Sequence, residues 1–267
     1  MDSKKFIRIY KIAKIAVLIL FILICATLAF LETDVFTMFF ENEEFKGIGF
    51  WWTMLFVVVA TVLYIVWHIF MQGRIANILK EKCAPKEYRE VYKALSPKNN
   101  KIGECIVDIT TDFMLGNFDA AKARCFEVLQ TEVNISLRHN AYSVLSQIFL
   151  LTEDVDNLEQ LKQSASIGTI HEKYGNIYDQ IVRTASAFIE FLKGRTDHMV
   201  EAYSMAREIC KSNCDLYLSL YYYAISLVKA GDFEKAIPVF EEIILNGNEL
   251  FTVKFSKIAL LAIVSEK

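Results

Sequence analysis

The chain has 267 residues, 54% of them hydrophobic, with three prolines, ten glycines and a formal net charge of −3. That apolar content is high for a soluble protein, and the scarcity of alternating polar and apolar runs favours helix over strand. From Ile102 onward the chain carries 23 acids against 15 bases, a balance that repels phosphate and argues against a nucleic-acid partner.

The first element in chain order is a basic leader, Met1 to Lys14, with five bases and one acid. It runs into Ile15–Leu31, "IAVLILFILICATLAFL", seventeen residues without a charge, twelve of them Ile, Leu, Val or Phe. On an insertion scale those twelve favour a bilayer by about 4–7 kcal/mol. A second uncharged stretch runs from Gly47 to Met71, apart from any charge on His68, with Trp51 and Trp52 at one end and Tyr64 and Trp67 near the other. Aromatic rings prefer those interfacial depths. Both stretches meet the length that ~30 Å of hydrocarbon demands, which predicts spans at about 12–31 and 48–71.

Between them, Glu32 to Lys46 carries five acids and one base. Basic flanks stay inside, so the charges predict a helical hairpin with both termini in the cytoplasm. Small residues near Cys25 to Ala29 also suit a signal-peptide cleavage site, and the second span would then still deliver the rest of the chain inside. The external loop is too short to fold as a sensor domain. The hairpin contains no G-x-x-x-G pair, so it reads as an anchor. Low proline with much Ile, Lys and Asn is compatible with an AT-rich bacterium and hence with its cytoplasmic membrane.

Arg74 to Lys101 carries eight bases and three acids. Its early part continues the second span. Pro85 suits the first turn of a new helix with Tyr88, Val91, Tyr92 and Leu95 on one face, and Pro97 ends it. Anionic inner-leaflet lipid would attract these bases at ~1 kcal/mol each near the surface. The expected organisation is therefore a transmembrane hairpin over 1–73, a basic juxtamembrane helical segment over 74–100, and a helical domain over 101–267.

Within that domain a signature recurs. It stands as Gly116-Asn117-Phe118-Asp119-Ala120-Ala121 and as Gly231-Asp232-Phe233-Glu234-Lys235-Ala236. A degraded copy begins at Gly194, and a weaker one lies around Glu153-Asp154. The four turns are 37, 41 and 37 residues apart. Gly ends one helix in a left-handed conformation, Asp or Asn caps the next, the aromatic fills the wedge between the two, and Ala lets them approach. Each pair leaves an apolar face that only stacking of several pairs buries. Pro238, inside the second helix of the last copy, predicts a local bend. Phe251 to Val264 reads as a final helix over the open end.

This pattern resembles the tetratricopeptide repeat superfamily over roughly Lys101 to Leu250. The last copy, Tyr217 to Leu250, is the best match, with Ala224 at the small position and Ala236 and Phe240 in the A-x3-F spacing. The implied fold is all-α: two transmembrane helices, then a cytoplasmic α-solenoid of about four helical hairpins plus a capping helix. Gly116, Phe118, Ala121, Gly194, Gly231, Phe233, Ala236 and Phe240 define the repeats.

The resemblance also implies a peptide groove on the inner face of the first helices, lined here by Phe113, Met114, Phe188, Phe191, Tyr221 and Ile225. That apolar lining implies a hydrophobic or amphipathic protein segment as ligand. There is no phosphate-binding loop, no G-x-S-x-G and no H-E-x-x-H. Cys210-x3-Cys214 lacks two further zinc ligands nearby in sequence. No cofactor, metal, small-molecule substrate or enzymatic activity is expected. The expected function is a membrane-tethered protein-interaction adaptor. The alternative is an accessory subunit of a transport or signalling complex whose hairpin does the work.

Overall fold

The structure, a computed structural model, describes residues 3–32, 44–97, 99–131, 134–168 and 175–265. Among them every regular element is a helix and no strand occurs. The chain divides into two compact units, Met1–Ala76 and Asn77–Lys267.

The first unit holds α1 (Ser3–Glu32) and most of α2 (Glu44–Lys80). The Tyr10 ring stacks on Trp67 at 5.3 Å, and Phe6, Tyr10, Met71 and Ile75 are buried. The start of α1 thus lies beside the later turns of α2. Away from that contact the apolar side chains are bare: Leu18 and Leu20 on α1 and Leu63 and Val66 on α2 are each more than half exposed. By length and composition Val57–Lys80 is sufficient to cross a membrane, and among the described residues it is the one stretch that is. The expected acidic loop lies mostly at 33–43, outside the described residues, as do the side chains of Trp51 and Trp52.

The second unit opens with α3 (Pro85–Leu95), with Pro85 in its first turn, and continues through α4 (Lys101–Met114), α5 (Phe118–Gln130), α6 (Ile135–Leu151) and α7 (Val155–Gly168). Next come α8 (Gly175–Leu192), α9 (Asp197–Ser204), the single turn α10 (Ala206–Ile209), α11 (Asn213–Lys229), α12 (Phe233–Asn246) and α13 (Phe251–Ser265). Side-chain caps start several of them. Asn100 Oδ1 accepts from Gly103 N at 3.1 Å, and Ser212 Oγ accepts from Asp215 N at 3.2 Å. Asp232 Oδ1 accepts from Lys235 N, whereas Asn117, expected to cap α5 in the same way, makes no side-chain cap bond. Pro238 sits inside α12 without ending it.

The four turns close alike. The residue at each takes the left-handed region: Gly116 (φ 79°), Glu153 (φ 54°), Gly194 (φ 91°) and Gly231 (φ 82°). At each, its N–H bonds three residues back and the next N–H bonds five back. Gly116 donates to the Phe113 carbonyl and Asn117 to Asp112; Glu153 donates to Leu150 and Asp154 to Phe149. Gly194 donates to Phe191 and Arg195 to Glu190; Gly231 donates to Val228 and Asp232 to Leu227. This bond pair satisfies carbonyls that a helix end leaves open. The residue five beyond each turn is buried: Ala121, Leu158, Met199 and Ala236.

Successive helices pack in order, and alternate ones also touch: α4 with α6, α6 with α8, α9 with α11 and α11 with α13. α11 is the hub. Its Cys214 Sγ lies 3.8 Å from Met114 Sδ on α4, and its Tyr222 hydroxyl donates to Gln147 Oε1 on α6 at 3.0 Å. Tyr222 also meets Phe188 on α8, with ring centroids 6.1 Å apart. From α13, Phe251 packs edge-on against Phe113 (5.4 Å), Phe118 (5.3 Å) and Tyr221 (5.9 Å). The last helix therefore caps the end, as the sequence suggests, and also reaches back to the first pair.

The segment expected to stand between membrane and domain belongs to this unit from Asn77 onward. Its loop at 81–86 is held by residues far along the chain. Asn248 Nδ2 donates to the Lys82 carbonyl at 2.7 Å, Glu249 N to the Cys83 carbonyl at 3.3 Å, and Asn213 Nδ2 to the Glu81 carbonyl at 3.0 Å.

Two of the turn glycines differ in one testable respect. A Cβ at Gly116 would meet Phe251 Cβ at 3.0 Å, whereas nothing lies within 4 Å of one at Gly231. Gly231→Ala should cost about 1–2 kcal/mol from the left-handed backbone alone, and Gly116→Ala measurably more. Glu153→Gly should relieve the same strain and stabilise by roughly 0.5–1 kcal/mol. Urea unfolding of the full chain in mild detergent, followed by far-UV circular dichroism, checks all three. Equal losses at the two glycines would refute the Phe251 contact.

Candidate functional site

The six residues expected to line an open groove do not form one. Phe113, Met114, Phe188, Phe191 and Tyr221 are buried and Ile225 is half-buried. The physical reason is α11: it lies against the inner sides of α4, α6 and α8 through Cys214, Gln147 and Tyr222, so the chain's own fourth pair occupies that face. Tyr221 packs on Phe240, Phe251 and Phe255, and burial pushes its hydroxyl up to about 12. Lys229 Nζ stands 4.7 Å from the centroid of the buried Phe191 ring. Of the positions expected to define the repeats, Ala121, Ala236 and Phe240 are fully buried, and Phe118 and Phe233 are half-buried against the core.

A charged cluster lies where α3, α4 and α5 meet. Asp112, buried on α4, accepts from Arg89 Nη1 at 2.8 Å and lies 3.3 Å from Arg124 Nε. Asp108, one turn earlier, has Lys93 Nζ at 2.7 and 2.8 Å from its two oxygens and Arg124 at 3.7 Å. Three cations thus share two buried carboxylates, an arrangement that holds α3 to the rest of the unit. Arg89 and Lys93 are two of the eight bases expected to face lipid. Sequence reading missed the pairing, although the signal is present: Arg89/Lys93 and Asp108/Asp112 are both four-residue spacings of opposite sign on consecutive helices.

An open concavity of the second unit lies on the outside, between α7 and α8. It is a shallow groove of about 750 Å3 lined by Asp156, Glu159, Gln160, Lys162, Gln163, Ser166, Ser186, Ile189, Glu190, Lys193 and Arg195. Lys193 Nζ bonds Glu159 Oε1 across it at 2.9 Å, and Arg195 lies 3.5 Å from Glu190. Its walls are exposed, flexible charges of both signs, suited to hydrogen bonds and ion pairs with a polar chain and not to covalent chemistry.

Among the described residues Cys83, Cys105, Cys125, Cys210 and Cys214 are free thiols. Cys210 donates to Ser219 Oγ at 3.5 Å, so it does not join Cys214 in a ligand pair. Cys214 instead hydrogen-bonds the buried thiol of Cys83. That bond favours the Cys83 thiolate, holds its thiol below the ordinary range and pushes Cys214 up. Cys125 is pushed up to about 12 by burial. Among the described residues no group of three His, Cys, Asp or Glu side chains is placed to hold a metal ion.

No family model matches the chain, and neither a curated protein nor a solved structure matches it.

The two kinds of ion pair should separate in unfolding experiments. Asp112→Ala removes the buried acceptor of two partly exposed guanidinium groups and should cost about 1.5–3 kcal/mol. Glu159→Ala breaks an exposed pair and should cost under about 1 kcal/mol. Similar losses for both variants would show that the cluster on α3, α4 and α5 does not hold those helices together.

Proposed function

We propose that this chain is a membrane-anchored helical-repeat protein of the tetratricopeptide type, acting as an adaptor that holds another protein at the cytoplasmic face of a membrane. The observation that carries the repeat reading is the recurrence of one turn, with the same left-handed residue and the same two hydrogen bonds, at Gly116, Glu153, Gly194 and Gly231. Repetition of a helix-turn-helix unit is the means by which such folds build extended binding surfaces. The membrane reading rests on Val57–Lys80 and on the bare apolar run of α1, taken as a second span. The basic flanks and the acidic loop favour both termini in the cytoplasm, in a bacterial plasma membrane.

The partner segment is polar. The inner aromatic face that would take an apolar helix is covered by α11, whereas the groove between α7 and α8 offers Lys193 and Arg195 beside Glu159 and Glu190. A charged, extended or helical stretch of a second protein fits such a surface.

Crosslinking in intact membranes tests it. Full-length chain should recover a defined set of proteins that Lys193→Glu with Arg195→Glu removes, while the helical content of the variant stays unchanged. Recovery of the same set by the variant would sink the groove as the docking surface. Replacing residues 1–73 with an unrelated hairpin should leave the set intact; its loss on that exchange alone would favour the accessory-subunit reading.

A further inference from the structure

One helix of the second unit, α13, is apolar on both sides: Phe251 and Ile263 face the core, and so do two small hydroxyl residues. On α13 the fully buried positions include Thr252 and Ser256, whose hydroxyls find no hydrogen-bond partner among the described residues. Its outer face presents Ile258, Leu261 and Val264, which are 55%, 71% and 67% exposed. An amphipathic helix in water keeps its outward face polar. The neighbouring α12 does so, with Glu234, Lys235 and Glu241 outward and Val239, Phe240 and Ile243 inward. The bare face of α13 calls for a non-aqueous cover.

Charge and position identify the cover. Phe251–Ser265 contains no acid, and its only charges, Lys254 and Lys257, are both exposed. They lie on the same face as the apolar residues, one turn before them, at the i, i+3 and i+4 steps that join Lys254, Lys257, Ile258, Leu261 and Val264. The helix also begins beside residues that directly follow Val57–Lys80. Asn248 and Glu249, just before its start, bond the carbonyls of Lys82 and Cys83, and Glu249 Oε2 accepts from Lys86 N at 3.3 Å. If that stretch crosses a membrane, the first turn of α13 is tied to the point where the chain leaves it.

We infer that α13 is an interfacial helix, lying on an anionic lipid surface with Ile258, Leu261 and Val264 in the headgroup–acyl boundary and Lys254 and Lys257 among the phosphates. The inference rests on the membrane reading above. Fifteen residues make a helix about 22 Å long, room for four turns of contact. Lysine stems extend toward phosphate while their methylenes cover the apolar surface.

The test uses full-length protein reconstituted into vesicles of phosphatidylglycerol and phosphatidylethanolamine. A photoreactive p-benzoyl-phenylalanine replaces Leu261 or, independently, Val264. The same replacement at Leu63 marks the proposed span, and at Leu245, 82% exposed on α12, it marks solvent. On irradiation, lipid adducts detected by mass should form at positions 63, 261 and 264 and be several-fold weaker at 245. Vesicles of phosphatidylcholine alone, or Lys254→Glu with Lys257→Glu, should lower the yield at 261 several-fold and leave the yield at 63 unchanged. Adducts at 63 without adducts at 261 and 264 would overturn the interfacial helix and keep the membrane anchor. Chain-to-chain crosslinks at 261 would overturn it in favour of a second copy on that face. Equal yields at 245 would also overturn it. Absence at every position would remove the membrane reading and the inference with it.

Discussion

The edge-on packing of Phe251 against Phe113, Phe118 and Tyr221 joins the end of the second unit to its beginning. Helix pairs stacked in a row leave an apolar face at each end and along the inner side. Here one helix, α11, fills the inner side, and the ring of Phe251 draws α13 back to the α4–α5 pair. Aromatic rings suit the task because each buries a large area with few rotatable bonds and prefers the edge-to-face arrangement seen among these four. The same closure explains why Gly116 tolerates no side chain without a shift, since Phe251 occupies the space a Cβ would need. It also sets the 247–249 loop against residues 81–86, so the connection into α3 is held by residues more than 160 positions away.

Closure has a functional consequence. An open array of helix pairs presents its inner face to a ligand, and its aromatic residues then read as a binding site. In this chain those rings, Phe113, Phe188 and Tyr221 among them, are core. Among the outward features are the charged groove between α7 and α8 and the apolar outer face of α13. They differ in chemistry. The groove has cations and carboxylates already paired with one another, so a ligand must exchange partners, which favours selectivity over strength. The α13 face has no ion pair to break: its apolar residues gain by losing water, and Lys254 and Lys257 are open to an anion.

Much of the helical framework was legible because its determinants are local. Pro85 opens α3, Gly116, Gly194 and Gly231 end helices in the left-handed region, and Asp232 caps α12. Even the weakest copy, at Glu153, follows from spacing: the chain turns there although a non-glycine residue must take φ 54°. Other features gave no local sign. Asn117 has the right identity for a cap and does not act as one. In the third copy Thr196 lies between the turn and α9, so the helix starts one residue later, and a separate turn, α10, follows it. The ion cluster of Arg89, Lys93, Asp108, Asp112 and Arg124 was visible only as two spacings, because pairing depends on how α3 is set against α4.

The sequence by itself determined where most helices start and stop, and it marked two stretches as long and apolar enough to cross a membrane, of which Val57–Lys80 meets that measure in the structure. Those properties follow from hydrogen bonds and side-chain periods within a few residues of chain. Tertiary structure alone decided which apolar faces are core and which are surface. Leu261 and Phe113 look alike in a sequence. One is 71% exposed and the other is buried because Phe251, 138 positions after Phe113, packs on it and nothing in the second unit covers Leu261. Coverage is a property of contacts between distant segments, and the periodicity of either segment does not encode it.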